Sequence, residues 1–114
     1  MKMKLIALMV LSAAMTFAAD ITGKWTFNVQ LDAGGGSPTF EFKQTGEKLA
    51  GTYHGQIGDA QLTGSVKGNA VEFSFNVDQV GAVKYTGTLD GDKKISGKCQ
   101  YGELGGGTFT GTKN

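Results

Sequence analysis

One cysteine, one histidine, one proline and one tryptophan are all that 114 residues hold of these four types. A single cysteine excludes an intramolecular disulfide. One cysteine with one histidine excludes the usual structural zinc sets. Alternation along their strands puts His54 on an outward face and Cys99 on an inward one, so no nucleophile–base pair is available between them. Glu41 and Glu72 face outward on different segments, which argues against paired carboxylates for glycoside chemistry. Asp90-Gly91-Asp92 lacks the further acidic positions of a calcium loop. Neither Gly34-Gly35-Gly36-Ser37 nor Gly105-Gly106-Gly107-Thr108 is followed by the Lys-Ser/Thr pair of a phosphate loop. No cofactor or metal is expected from this inventory.

The first nineteen residues lack both acids and glycine. Lys2 and Lys4 form a charged start, an apolar run follows from Leu5 to Met15, and Thr16-Phe17-Ala18-Ala19 supplies small residues for cleavage after Ala18 or Ala19. This is the pattern of a secretory signal peptide. The run is shorter than the roughly 20 residues a membrane helix needs, and no cysteine follows for lipid attachment. The expectation is a leader over 1–19 and a single domain over 20–114, with a secreted or periplasmic destination. In that domain nine basic residues meet ten acids, a net charge of −1. No basic patch is left to suggest nucleic acid or an acidic membrane surface.

All 19 glycines lie after residue 19, about one residue in five, too many for a helical bundle. Apolar and polar residues alternate there with the period of half-buried strands. Trp25, Phe27, Val29 and Leu31 share one face, as do Phe40 and Phe42, then Leu49 and Tyr53, then Leu62 and Val66. The pattern continues with Val71, Phe73, Phe75 and Val77, with Val83, Tyr85 and Leu89, with Ile95, Cys99 and Tyr101, and with Phe109. That makes eight strands. Thr45-Gly46-Glu47, Gly68-Asn69 and Asp90-Gly91-Asp92 read as short hairpin turns. Gly34–Pro38, Gln56–Asp59, Gln79–Gly81 and Gly102–Gly106 read as longer connections. Short links between consecutive strands give antiparallel neighbours.

An apolar residue, any residue, glycine and then a small polar residue or lysine recur five times, around Gly51, Gly64, Gly87, Gly97 and Gly111. Each of these glycines has inward parity, where a missing side chain lets a strand bend. An open sheet would leave a greasy face and two edges exposed. The fold expected is therefore all-β, an eight-stranded antiparallel up-and-down meander barrel preceded by a signal peptide, in preference to a two-sheet sandwich. The strands run to about eight residues, below the roughly 9–11 of a membrane barrel strand.

Ile21-Thr22-Gly23-Lys24-Trp25-Thr26 resembles the Gly-x-Trp opening of the first strand in avidin-like and lipocalin-like barrels. Leu49-Ala50-Gly51-Thr52-Tyr53 is similar to the Leu-Thr-Gly-Thr-Tyr stretch of avidins, and Thr108-Phe109-Thr110 to their last strand. The resemblance implies a small secreted barrel, and Tyr53 matches a ligand residue of the family in its local context. Biotin binding is not expected. Avidins box their ligand with several tryptophans and place an acid near the end of the fold, whereas this chain has Trp25 alone and no acid in its last strand.

An eight-stranded barrel is either filled by side chains or holds one small ligand. Tyr53, Tyr85 and Tyr101 share inward parity, and a buried phenol hydroxyl needs a partner, which at a barrel mouth can be a ligand. These three tyrosines, with Trp25, are the candidate ligand-binding residues. The expected function is a non-catalytic binding module for a small apolar or aromatic ligand or for a partner protein. The alternative is a structural or interaction protein with a filled core.

Overall fold

The computed structural model describes residues 20–114; the leader expected over 1–19 lies outside the described residues. Nine hydrogen-bonded segments follow in chain order: β1 (Gly23–Leu31), β2 (Gly34–Gly36), β3 (Thr39–Thr45), β4 (Lys48–Gly55), β5 (Gly58–Lys67), β6 (Ala70–Val77), β7 (Gly81–Leu89), β8 (Lys94–Tyr101) and β9 (Gly106–Lys113). β1, β5 and β7, at 9, 10 and 9 residues, run longer than the eight or so read from alternation, because their ladders extend into residues read as connections, such as Gly58-Asp59 and Gly81. A 3-10 turn, Gly102–Leu104, precedes β9. From β3 to β9 each strand pairs antiparallel with the next. β1 pairs with β3 on one side and with β9 on the other, from Trp25↔Lys113 to Leu31↔Gly107. That last pairing joins the two ends of the meander, so the sheet is a closed barrel and not a sandwich.

The count of nine reduces to eight. β2 and β3 keep one register against β1, with Val29 opposite Gly36 and Thr26 opposite Thr39. They are one strand interrupted at Ser37-Pro38. Proline has no N–H to give the ladder, yet its carbonyl still accepts from the Phe27 N–H at 2.9 Å. The stretch Gly34–Pro38, expected as a long connection, is thus mostly strand, and the turn before it is the two residues Asp32 and Ala33. Gln56–Asp59 is likewise tighter than expected. Gly55 pairs with Gly58, leaving Gln56 and Ile57 as a two-residue turn.

Alternation sends Trp25, Phe27, Val29, Phe40, Phe42, Leu49, Tyr53, Leu62, Phe73, Phe75, Tyr85 and Phe109 inside. Leu31 shares that parity but sits at the strand end and is only half-buried. At the barrel's waist the rings interlock. Phe27 stacks on Phe109 at 5.1 Å, and Tyr85 stacks on Phe73 at 4.9 Å. One end is plugged: the indole N–H of Trp25 donates to the Ile21 carbonyl at 2.8 Å, and both residues are 0 % exposed.

The inward glycines mark where neighbouring strands come closest. A Cβ on Gly51, Gly64 or Gly97 would lie 2.0, 2.0 or 2.1 Å from the carbonyl oxygens of Glu41, Glu72 and Thr86. On Gly87 it would strike both the Phe109 ring and the Ser96 carbonyl oxygen at 2.8 Å, and on Gly111 the Phe27 ring at 2.5 Å. Such contacts leave no room for any side chain, which is how the repeated glycine lets a small barrel curve over a bulky aromatic interior.

A cleft at the open end of the barrel

The end of the barrel opposite Trp25 carries the turns Asp32-Ala33 and Gln56-Ile57, the loop Asp78–Val80 and the 3-10 turn. Register points Gly34, Gly36, Gly55, Gly58, Ala60 and Gly107 inward at this end. Large side chains fill the waist and the plugged end, whereas these small ones leave space. The result is a cleft of about 440 Å³, within the range of small-molecule sites. Val29 and Leu31 wall one side, Ile57 another, and Leu104 of the 3-10 turn overhangs it. At 37 % exposed, Leu104 is the one large hydrophobic side chain among the described residues that faces solvent. The β2 segment and Ser37-Pro38 form the remaining wall. A Cβ added to Gly36 would meet nothing within 4 Å, consistent with a position facing open space.

Tyr53 and Tyr101 also line the cleft, as its floor. They come from β4 and β8, which lie four strands apart in either direction around the closed sheet, so they approach from opposite walls. The Tyr101 hydroxyl is hydrogen-bonded to that of Tyr85, which lies deeper and is 0 % exposed. Tyr53 stacks on Phe75 at 4.4 Å. Its hydroxyl lies over Gly55, where a Cβ would sit 2.2 Å from it. The structure therefore gathers the three candidate tyrosines into one group, two at the cleft surface and one beneath. Trp25, the fourth candidate, is not part of it: it belongs to the plug at the far end. Parity gave its face correctly but not its height along the barrel axis.

Burial raises the pKa of all three phenols, Tyr85 most strongly. For Tyr53 the interaction with Tyr101 works against that rise. For Tyr101 the hydrogen bond with Tyr85 does the same. The floor of the cleft is thus a set of neutral hydroxyls in an apolar surround, suited to hydrogen bonding. Burial also pushes the Cys99 thiol up to about 11, as expected of a small buried hydrophobe and not of a reactive thiolate. His54 lies on the outer face, with Nδ1 3.1 Å from the Asp59 carboxylate. No group of three or more metal-ligating side chains occurs among the described residues.

Alternation alone did not single out Val29, Ile57, Pro38 or Leu104 as cleft residues. Leu104 carried a usable signal, an isolated leucine within a glycine-rich connection. For the others the signal lay in their small neighbours, the inward glycines at one end of each strand.

No protein-family model matches the chain, and no curated protein does. Solved barrels do. A redesigned β-barrel, b11L5F_LGL, superposes with a TM-score of 0.61 at 15 % identity, over 82 % of this chain and 90 % of its own. The barrel EF1p2_mFAP2b bound to DFHBI gives 0.62 at 12 %, over 82 % and 94 %. A de novo designed fluorescence-activating β-barrel gives 0.59 at 16 %, over 90 % and 97 %. At these identities the likeness is one of fold. It supports the closed eight-stranded antiparallel barrel already traced through the hydrogen bonds.

Proposed function

We propose that this chain is a non-catalytic binding module that takes a small apolar or aromatic ligand in the cleft at the open end of the barrel. The observation that carries the reading is the pairing of an apolar-walled cleft with a floor of two tyrosine hydroxyls. Binding sites of this kind combine a hydrophobic lining with a few placed polar groups. A barrel of the same fold has been solved with DFHBI bound, which is in keeping with such a use of the architecture. The avidin-like opening around Trp25 and the stretch around Tyr53 fit a small secreted barrel of that broad kind, without biotin chemistry. The leader over 1–19 directs the chain to the periplasm or outside the cell, and export would be checked by N-terminal sequencing of the exported protein, with Ala19 or Asp20 as the first residue.

The test of binding is a thermal-shift survey with uncharged aromatic dyes and biotin, on the wild type and on Gly36→Leu. A ligand that binds only the folded state raises its apparent stability. At least one dye should raise the Tm of the wild type. Gly36→Leu, whose side chain enters the cleft, should fold normally and lose that shift. Biotin should give none. A survey in which no dye shifts the wild type would overturn the reading and favour a filled-core interaction protein.

A further inference from the structure

The polarity of the cleft floor follows from counting its hydroxyl protons. Tyr85, Tyr101 and Tyr53 each have one O–H to donate. Tyr85 is completely buried, and its hydroxyl has one partner, the Tyr101 oxygen. No buried side-chain polar atom among the described residues is left without a partner. A buried donor left unmade costs more than an unused acceptor lone pair. Tyr85 therefore donates and Tyr101 accepts, which leaves the Tyr101 proton pointing away from the core. If Tyr101 gives that proton to Tyr53, the Tyr53 proton is left for the cleft. If Tyr53 instead donates to Tyr101, the Tyr101 proton is left for it. With or without a hydrogen bond between the two, at least one O–H remains, on a residue that lines the cleft.

Charge around the opening narrows the choice further. Among the described residues, the turns and strand starts at this end carry Asp32, Asp59, Asp78 and Glu103 and no lysine, with His54 beside Asp59 on the outer face, and no charged side chain lines the cleft. Such a rim repels anions. Resting on the binding reading above, we propose that the cleft selects uncharged aromatic molecules that present a hydrogen-bond acceptor, such as a carbonyl oxygen, at their buried end, and that it discriminates against carboxylates.

The experiment uses three naphthalenes of nearly equal shape: 2-acetylnaphthalene, 2-isopropenylnaphthalene and 2-naphthoate. Their affinities are measured by calorimetry on the wild type and on the triple variant Tyr53→Phe, Tyr85→Phe, Tyr101→Phe. That variant removes every hydroxyl at once, so it strands no donor, and replacing all the partners by rings of the same shape is close to neutral for folding. In the wild type the acetyl compound should bind about tenfold more tightly than the isopropenyl one, the worth of one hydrogen bond, and naphthoate should bind more weakly than either. In the triple variant the acetyl advantage should vanish while isopropenyl binding persists. Equal binding of acetyl and isopropenyl compounds to the wild type, or preferential binding of naphthoate, would overturn the acceptor proposal and leave the binding reading standing. Failure of all three to bind, together with a negative dye survey, would overturn both.

Discussion

At the residue scale the barrel is decided by positions where a side chain is absent or a proton has one place to go. A Cβ on Gly64 would sit 2.0 Å from the Glu72 carbonyl and 2.6 Å from the Phe73 Cα, while Thr63 beside it points into solvent. Gly64→Val should therefore cost at least the 1–3 kcal/mol or so typical of overpacking, and Thr63→Val should stay within about 0.5 kcal/mol of wild type. Equal denaturation midpoints for the two would remove the close-approach argument. The tyrosine pair makes an asymmetric prediction. Tyr101→Phe strands the Tyr85 hydroxyl in the core and should cost roughly 1–3 kcal/mol. Tyr85→Phe leaves Tyr101 with the cleft and with Tyr53, and should cost less. Chemical denaturation of the two variants checks the order, and the reverse order would mean that the Tyr85 proton has an outlet other than Tyr101.

At the element scale, strand identity and facing were legible in the sequence because a period of two survives wherever one face is buried. Val71 to Val77 and Trp25 to Val29 are instances in which every alternate residue is inside. The site was legible only in part. Parity brought Tyr53, Tyr85 and Tyr101 to the interior but says nothing about position along the barrel axis, which depends on register and stagger. Trp25 shows the consequence: it shares their face and lies at the opposite end. The Gly34–Gly36 segment hid its strand character because it has no side chains to alternate, and its ladder to β1 exists because Asp32-Ala33 closes a tight turn. β2 pairs with β1 alone, whereas β3 is held by β1 and by β4. Amides of β2 should thus exchange with solvent measurably faster than those of β3 in native-state hydrogen exchange, despite their shared register. Equal protection in the two segments would mean that β2 has a second partner, and the cleft wall would have to be redrawn.

At the scale of the whole molecule, an aromatic interior with buried weak acids ties stability to pH from the alkaline side. The Cys99 thiol ionises at about 11 in the barrel against an ordinary 9.0, because burial disfavours the thiolate. The three phenols are shifted in the same direction, chiefly for the same reason. Between the ordinary value and the raised one, the folded state keeps a proton that the unfolded chain has lost. Stability then falls as pH increases. The contribution of Cys99 is fully present below pH 9 and is lost as the pH rises through about 11. The tyrosines add their loss from their ordinary value of 10 upward. The Tm, followed by circular dichroism, should therefore decline from about pH 9 and steepen beyond about pH 10. Cys99→Ala should flatten the first part of that decline and leave the second. The triple tyrosine-to-phenylalanine variant should do the converse. A Tm that holds steady in the wild type from pH 9 to pH 11 would mean that these groups reach water in the folded barrel, and the burial assigned to Cys99 and to the tyrosines beneath the cleft would have to be redrawn.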